Sequence, residues 1–294
     1  MKHLILYILL FCSSILTVQG QQDVKVASIL HQDVLPYKAN TSLVITAEKA
    51  RIQLLPSSEN HVRYEIESFA KHPDESVAKR DVKKHQVLVE KLGKKIYFRN
   101  FISLGKSDQK PESNVSTIYK IWVPTSCTVE LKTKFCETEI VGFENELIIE
   151  ENFSNLLLEN HVGKATIDSY LGELTLRGTH GQYTLTTKRS KVRLLNNTGD
   201  YTVQSKYGDV FIDESDPALY NLDIRGDASN IEYNLFEFLT SQFTIRSESG
   251  ELMLSEQHKV NITKVGNSKE ILFHPAGALS TINIFNTYGK IDIK

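Results

Sequence analysis

The chain has 294 residues, with 34 Lys and Arg against 36 Asp and Glu, and a formal net charge of −2. A balance this near neutrality gives no electrostatic pull toward nucleic acid or an anionic membrane. Seven sparse prolines and the lack of any low-complexity linker describe a chain long enough for a large core.

The first residues point to export. Lys2 and His3 precede an apolar run from Leu4 to Val18, and Val18 and Gly20 occupy the small-residue positions before Gln21. A charged start, a short apolar centre and a small-x-small end describe a signal peptide over residues 1–20. The run is shorter than the roughly 20 residues that span a bilayer, so an uncleaved anchor is the weaker alternative. Bulky Phe11 before Cys12 argues against a lipid anchor. The expected location is periplasmic, outer-surface or extracellular.

Residues 21–126 are predicted as a β-rich capping portion, with a separate sandwich domain as the alternative. Its strands are expected at Ser42–Ala47, Arg51–Leu55, His61–Ile66, Gln86–Lys91, Ile96–Phe101 and Thr117–Val123. The polar stretches Lys71–Asp81 and Gly105–Ser116 read as loops, with room for a short helix within Lys71–Lys84. The cationic cluster Lys79, Arg80, Lys83 and Lys84 is broken by Asp81 and reads as a solvated surface.

Residues 127–216 carry a repeat. Stepping by nine from Cys127 meets Cys136, Asn145, Ser154, Gly163, Gly172, Gly181, Ser190, Gly199 and Gly208. Small and turn-forming residues at every step predict tight corners that adopt positive φ. Two and four residues after each corner stand pairs such as Leu147 and Ile149, Leu174 and Leu176, or Tyr201 and Val203. That i, i+2 spacing places each pair on one face of a strand. Gly163-Lys164-Ala165-Thr166-Ile167, Gly181-Gln182-Tyr183-Thr184-Leu185 and Gly199-Asp200-Tyr201-Thr202-Val203 resemble one another, and the units between them differ. Two alternating units predict an all-β chain with a single-stranded β-solenoid, each 18-residue coil holding two strands that stack in parallel on the next coil. An antiparallel meander is the competing geometry.

Residues 217–294 lose the strict phase after a loop at Asp213–Pro217. Strands are expected at Leu219–Arg225, Ile231–Phe236, Phe243–Arg246, Glu251–Leu254, Ile282–Phe285 and Ile291–Ile293, in irregular coils that continue the stack.

Ile121-Trp122-Val123-Pro124 leads into Leu171-Gly172-Glu173-Leu174, Tyr207-Gly208-Asp209-Val210 and Ser249-Gly250-Glu251-Leu252. This texture resembles an exported bacterial putative-adhesin family of unknown function, related to auto-transporter adhesin head domains. The resemblance implies a β-helix-like fold and brings no site residues with it. Cys, Asn and Ser stand here where the family's early corners are usually glycine.

Candidate chemistry is sparse. Calcium nonapeptides need paired glycines and an aspartate in each turn, whereas Lys164, Glu173, Gln182, Lys191, Asp200 and Asp209 alternate in sign. Cys127 and Cys136 read as small corner residues, with a disulfide as the alternative, and no CxxC or His pair accompanies them. His161, His180 and Asp168 form the one acid–base constellation weighed, and both histidines read as solvated edge residues. Tyr183 and Tyr201, following Ala165, read as an inward ladder. Their alternative is an outward sugar-binding strip. Sequons begin at Asn40, Asn114, Asn152, Asn196 and Asn261 and matter only in a glycosylating pathway. No nucleophile elbow, phosphate loop, HExxH or dinucleotide fingerprint occurs.

The sequence therefore predicts no catalytic, cofactor-binding or metal residues, no cofactor, no nucleic acid and no membrane span after signal removal. It predicts a non-enzymatic module for binding, adhesion or scaffolding at the cell envelope and leaves its ligand and partner unknown, with a surface glycan and an envelope protein as the open candidates. A carbohydrate-active enzyme with a site on the C-terminal loops, or a self-assembling structural protein, is the alternative.

Overall fold

The computed structural model describes residues 23–106, 108–213, 220–235, 241–258 and 260–294. The expected signal peptide and most of the Asp213–Pro217 loop lie outside the described residues, as do Leu219 and Phe236 of two expected strands.

Alternating apolar positions make the chain almost entirely β. Ahead of the repeat come β1 (Lys25–Pro36), β2 (Ser42–Glu48), β3 (Ala50–Ser57), β4 (His61–His72), β5 (His85–Leu92), β6 (Lys95–Ile102) and β7 (Asn114–Pro124). The repeat supplies β8 (Val129–Lys134), β9 (Glu137–Val141), β10 (Glu144–Asn152), β11 (Asn155–Glu159), β12 (Val162–Tyr170), β13 (Glu173–Arg177), β14 (His180–Lys188), β15 (Lys191–Leu195), β16 (Thr198–Lys206) and β17 (Asp209–Asp213). After it come β18 (Tyr220–Asp227), β19 (Asn230–Asn234), β20 (Ser241–Glu248), β21 (Glu251–Leu254), β22 (Thr263–Val265), β23 (Ser268–Phe273), β24 (Ser280–Thr287) and β25 (Lys290–Ile293). Strands β1, β22 and β23 escape a reading by alternation.

A short helix, α1 (Glu75–Val82), lies inside the Lys71–Lys84 stretch that the sequence leaves open to one, and takes up most of the Lys71–Asp81 loop. The Asp74 side chain caps it by accepting from the Ser76 N–H at 2.7 Å. Asp81 anchors it while fully buried, accepting from the N–H groups of Glu112 at 2.8 Å and Ser113 at 2.9 Å. Burial opposes ionisation, but those donors and Arg80 hold its carboxyl down to about 2. The cationic cluster is partly paired: Lys79 meets Glu75, and Arg80 meets Asp81 and Glu112.

The strands form two sheets of 12 and 13 members, and within the repeat the chain passes from one to the other at every step. Nine-residue strands (β10, β12, β14, β16) lie in one sheet and five-residue strands (β11, β13, β15, β17) in the other. Each pairs in parallel with its counterpart 18 residues on, as in Gly163↔Gly181↔Gly199 and Leu174↔Val192↔Val210. Like units thus lie on like units, and the antiparallel meander is excluded for this region.

Antiparallel pairing is confined to the two ends, in β1–β4, β4–β7 and β5–β6 at one and β20–β23 and β22–β23 at the other. Coil order departs from chain order at both ends. The pair β2–β3 packs directly on β8–β9, and the last pair, β24–β25, inserts between β18–β19 and β20–β21. One apolar core runs between the sheets from Leu43 to Ile293.

Tyr183 and Tyr201 lie in that core, each 2% exposed, with parallel rings 4.7 Å apart. Such a stack adds about 0.5–1.5 kcal/mol beyond burial. Ala165, one coil before, leaves space into which the Tyr183 hydroxyl reaches, donating to the His161 carbonyl at 2.9 Å.

Candidate binding surface

The two edges where the chain turns between sheets are built differently. At one, positive φ falls on residues that adopt it cheaply: Gly142 (71°), Asn160 (51°), Gly178 (59°) and Asn196 (53°). Gly163, Gly181 and Gly199 follow at 141°, 138° and 106°, as the corner reading predicts.

At the other edge the expectation needs correction. The small residues Cys136, Ser154, Gly172, Ser190 and Gly208 are not left-handed. The residue before each one is, at Phe135 (55°), Phe153 (52°), Leu171 (55°), Arg189 (54°) and Tyr207 (56°). Lys49, Ala228, Tyr288 and Ser249 continue the same column at 51°, 49°, 59° and 53°. Small residues are needed behind them because the chain closes tightly there: a Cβ on Gly172 would lie 1.9 Å from the Ser154 carbonyl oxygen. The Ser154 and Ser190 hydroxyls accept from the N–H groups of Cys136 and Gly172 in the preceding coil.

Every residue of this left-handed column but Ser249 donates its N–H to a carbonyl one coil further on, and Ser249 donates to Asn267 between β22 and β23 at 3.1 Å. Examples are Phe135 to Asn152 (3.0 Å), Phe153 to Tyr170 (2.8 Å), Arg189 to Lys206 (2.8 Å) and Tyr288 to Glu248 (3.0 Å). The backbone is therefore rigid, and the side chains project outward at the pitch of the stack, about 4.8 Å. Phe135, Phe153, Tyr207 and Tyr288 are 47%, 43%, 51% and 70% exposed. A left-handed conformation costs a bulky L-residue about 1–2 kcal/mol. The opposite edge avoids most of that cost with Gly and Asn.

The column has a definite chemistry. Phe135 and Phe153 stack at 5.1 Å, and Tyr170 meets Phe153 edge-on at 5.6 Å. Lys134 lies over Phe135, Lys188 over Tyr170 and Lys206 over Tyr207. Lys206 also pairs with Asp227 at 2.9 Å. Among the described residues, Lys134, Lys188 and Arg189 have no carboxylate within ion-pair distance.

Two depressions flank the N-terminal end of the column and share Lys49. One, of about 480 Å³, includes Glu48, His85, Asn100, Lys134 and Asn152 in its lining. His85 is buried there, its Nε2 facing Asn100 Nδ2 at 3.1 Å and Thr117 Oγ1 at 3.2 Å. Burial, then the charge of Lys49, lowers its pKa. The other, an open groove of about 600 Å³, includes Arg51, Asn114, Phe135, Glu137 and Phe153. Together these offer flat apolar faces, cations and hydrogen-bonding groups.

Residues singled out by sequence take other places. His161 is not solvated as expected: it is fully buried, with Nδ1 2.7 Å from the Tyr183 hydroxyl and Nε2 3.0 Å from Asn145 Oδ1. Burial pushes its pKa down to about 4. His180 is exposed beside Thr198 Oγ1 at 2.6 Å, and Asp168 faces outward, so the three do not converge. Cys127 and Cys136 are free, buried thiols whose Sγ atoms lie 3.4 Å from the Thr41 and Ala47 carbonyl oxygens. Burial pushes both thiols up, Cys127 to about 11. Lys191 and Glu173 of adjacent coils pair at 3.1 Å on the outer face. Among the described residues no cluster of three or more His, Cys, Asp or Glu is arranged to hold a metal, and no helix is long and apolar enough to cross a membrane.

The aromatic column is hidden in the sequence because the small residue of each corner carries the visible repeat. Its signal is an 18-residue spacing one position earlier, Phe135, Phe153, Leu171, Arg189, Tyr207, meaningful only once the outward direction of that position is known.

No family model and no curated protein matches the chain. Among solved structures it is similar to three bacterial proteins. A putative adhesin from Parabacteroides distasonis ATCC 8503 aligns over 94% of this chain and 98% of its own at 8% identity and a TM-score of 0.48. A putative adhesin from Bacteroides fragilis NCTC 9343 covers 92% and 97% at 13% identity and 0.45. A putative cell adhesion protein from Clostridium sporogenes ATCC 15579 covers 92% and 99% at 10% identity and 0.27. Scores of this size assign neither activity nor ligand to this chain.

Proposed function

We propose that this chain is an exported, non-enzymatic β-solenoid module that attaches to or organises material at the cell envelope. In this reading residues 21–126 cap the stack, 127–216 form its regular coils and 217–294 its irregular end. The column from Lys49 to Tyr288 is the contact surface. One observation carries it: bulky aromatic and cationic side chains occupy left-handed corners where Gly or Asn would cost less. Strained positions that persist are candidates for function. The rigid backbone behind them holds each side chain ready, which lowers the ordering cost of binding.

Attachment of the labelled, purified chain to bacterial surface material tests the reading. Wild type is expected to be retained and eluted intact, with Tyr207→Gly and Phe153→Leu retained at least tenfold less. Equal retention of all three, or release of cleaved glycan during incubation, would overturn it in favour of another surface or of an enzyme.

A further inference from the structure

From the chemistry of the left-handed column we infer that its ligand is an acidic polysaccharide, lying along the stack from Phe135 toward Tyr207. This rests on the column being the contact surface, and adds the class of molecule it contacts.

Three properties of the column specify the ligand. First, Phe135 and Phe153, stacked face to face at 5.1 Å, form one aromatic plate and Tyr207 a second, three coils from Phe153, or about 14 Å at the pitch of the stack. A ligand that uses both must be extended and carry apolar patches at intervals. The C–H faces of pyranose rings have that character. Second, the space between the plates holds Leu171, Lys188 and Arg189, with Lys206 over Tyr207 and Lys134 over Phe135 at the far side of the first plate. Arg189 projects from a left-handed corner, and its guanidinium matches a carboxylate fork to fork. The ligand therefore carries anionic groups beside its apolar faces. Third, the positive strip is narrow. Asp168 and the Lys132–Glu150 ion pair flank it on the nine-residue strands, and Glu137, Asp209 and the Lys191–Glu173 ion pair on the five-residue strands.

That narrowness separates a polysaccharide from the other extended polyanion with flat faces. Single-stranded nucleic acid is held by a broad positive groove that tracks every phosphate. Here acids and neutral ion pairs, with no further free cation among them, border the strip on both sides, on a chain of net charge −2. A chain with one carboxylate per sugar or fewer, and rings that stack, fits cations confined to a strip between aromatic plates. A neutral glycan would leave the unpaired cations without partners.

Binding of the purified full chain to polygalacturonate, dextran and oligo(dT), measured side by side, tests this. Polygalacturonate is expected to bind at least tenfold more tightly than the other two and to weaken at about 0.5 M salt. Lys188→Ala with Arg189→Ala should remove at least a factor of ten, as should Tyr207→Gly. The double variant should keep the wild-type melting temperature, because these side chains project into solvent, and Tyr207→Gly should keep or raise it, because glycine relieves the left-handed corner. Dextran bound as well as polygalacturonate, oligo(dT) bound more tightly, or polygalacturonate binding unmoved by these substitutions would each overturn the ligand class. If Tyr207→Gly abolishes attachment to bacterial surface material while polygalacturonate fails to bind, the ligand class falls and the contact surface stands. If Tyr207→Gly affects neither, both fall.

Discussion

At the scale of single residues, burial pushes one carboxyl and one imidazole of the core in opposite directions. Glu151 is 2% exposed, and the Ser169 hydroxyl nearby offsets the cost of burying its carboxylate only in part. It stands in register with Thr133 and Ser169 of the adjacent coils, and burial pushes its pKa up to about 8. His161 is pushed down to about 4. In an unfolded chain these groups titrate near about 4.3 and 6.5. A carboxyl with a raised folded pKa contributes stability below its unfolded pKa and loses it as pH rises toward 8. A histidine with a depressed one contributes above about 6.5 and loses it as pH falls toward 4. The two slopes oppose one another at mildly acidic pH, and Glu151 acts without that opposition above about pH 6.5. Urea unfolding of wild type should therefore weaken between pH 6.5 and 8, by at most about 1.4 kcal/mol per pH unit from this group. Glu151→Gln should flatten that decline, and a variant with the wild-type slope would show that the carboxyl is solvated.

At the scale of elements, the stack is held by backbone approach as much as by side chains. In the column Asn145, Gly163, Gly181, Gly199, a Cβ on Gly181 would lie 1.9 Å from the Gly163 carbonyl oxygen, and φ there is 138°. Neither the turn nor its neighbour can yield without breaking the parallel ladder on both sides. Gly181→Ala should cost about 3 kcal/mol or more. Gly93→Ala, at φ 58° with open space around it, should cost only about 1–2 kcal/mol. Thermal melts of the two proteins provide the comparison, and equal losses would mean that conformational preference, not stacking distance, governs the repeat. The left-handed edge obeys the same geometry with serine. There the Ser154 and Ser190 hydroxyls meet backbone N–H groups of the preceding coil while donating to carbonyls two residues back. A parallel stack thus stays satisfied at its tightest point.

At the scale of the molecule, insertion of β24–β25 between β18–β19 and β20–β21 means that the pair 241–254 has no sheet neighbour on the repeat side until residues 280–293 arrive. A chain ending at Leu279 should keep the repeat through Asp213 protected from limited proteolysis and lose protection over 241–254. Unchanged protection there would show that β20–β21 can pack directly on β18–β19. The ends also explain how parallel stacking stops. Parallel coils offer the same edge to any further coil, whereas antiparallel β1, β5 and β23 break the repeat direction, and β21 is only four residues long.

Nine-residue periodicity with alternating unit types was enough to specify strands, inward pairs, the 18-residue parallel step and the buried Tyr183–Tyr201 ladder. These follow from local alternation and from which residues tolerate close backbone contact, both of which are written in neighbouring residues. Three things were decided only by the tertiary structure. The order of coils at each end depends on which edges remain unpaired, and no local pattern encodes that. His161 is buried because Ala165 and the reach of Tyr183 create its site 22 residues away in sequence. The aromatic column faces solvent because φ turns positive one residue before each small corner residue, so that Phe135, Phe153 and Tyr207 point away from the core that their hydrophobicity would favour.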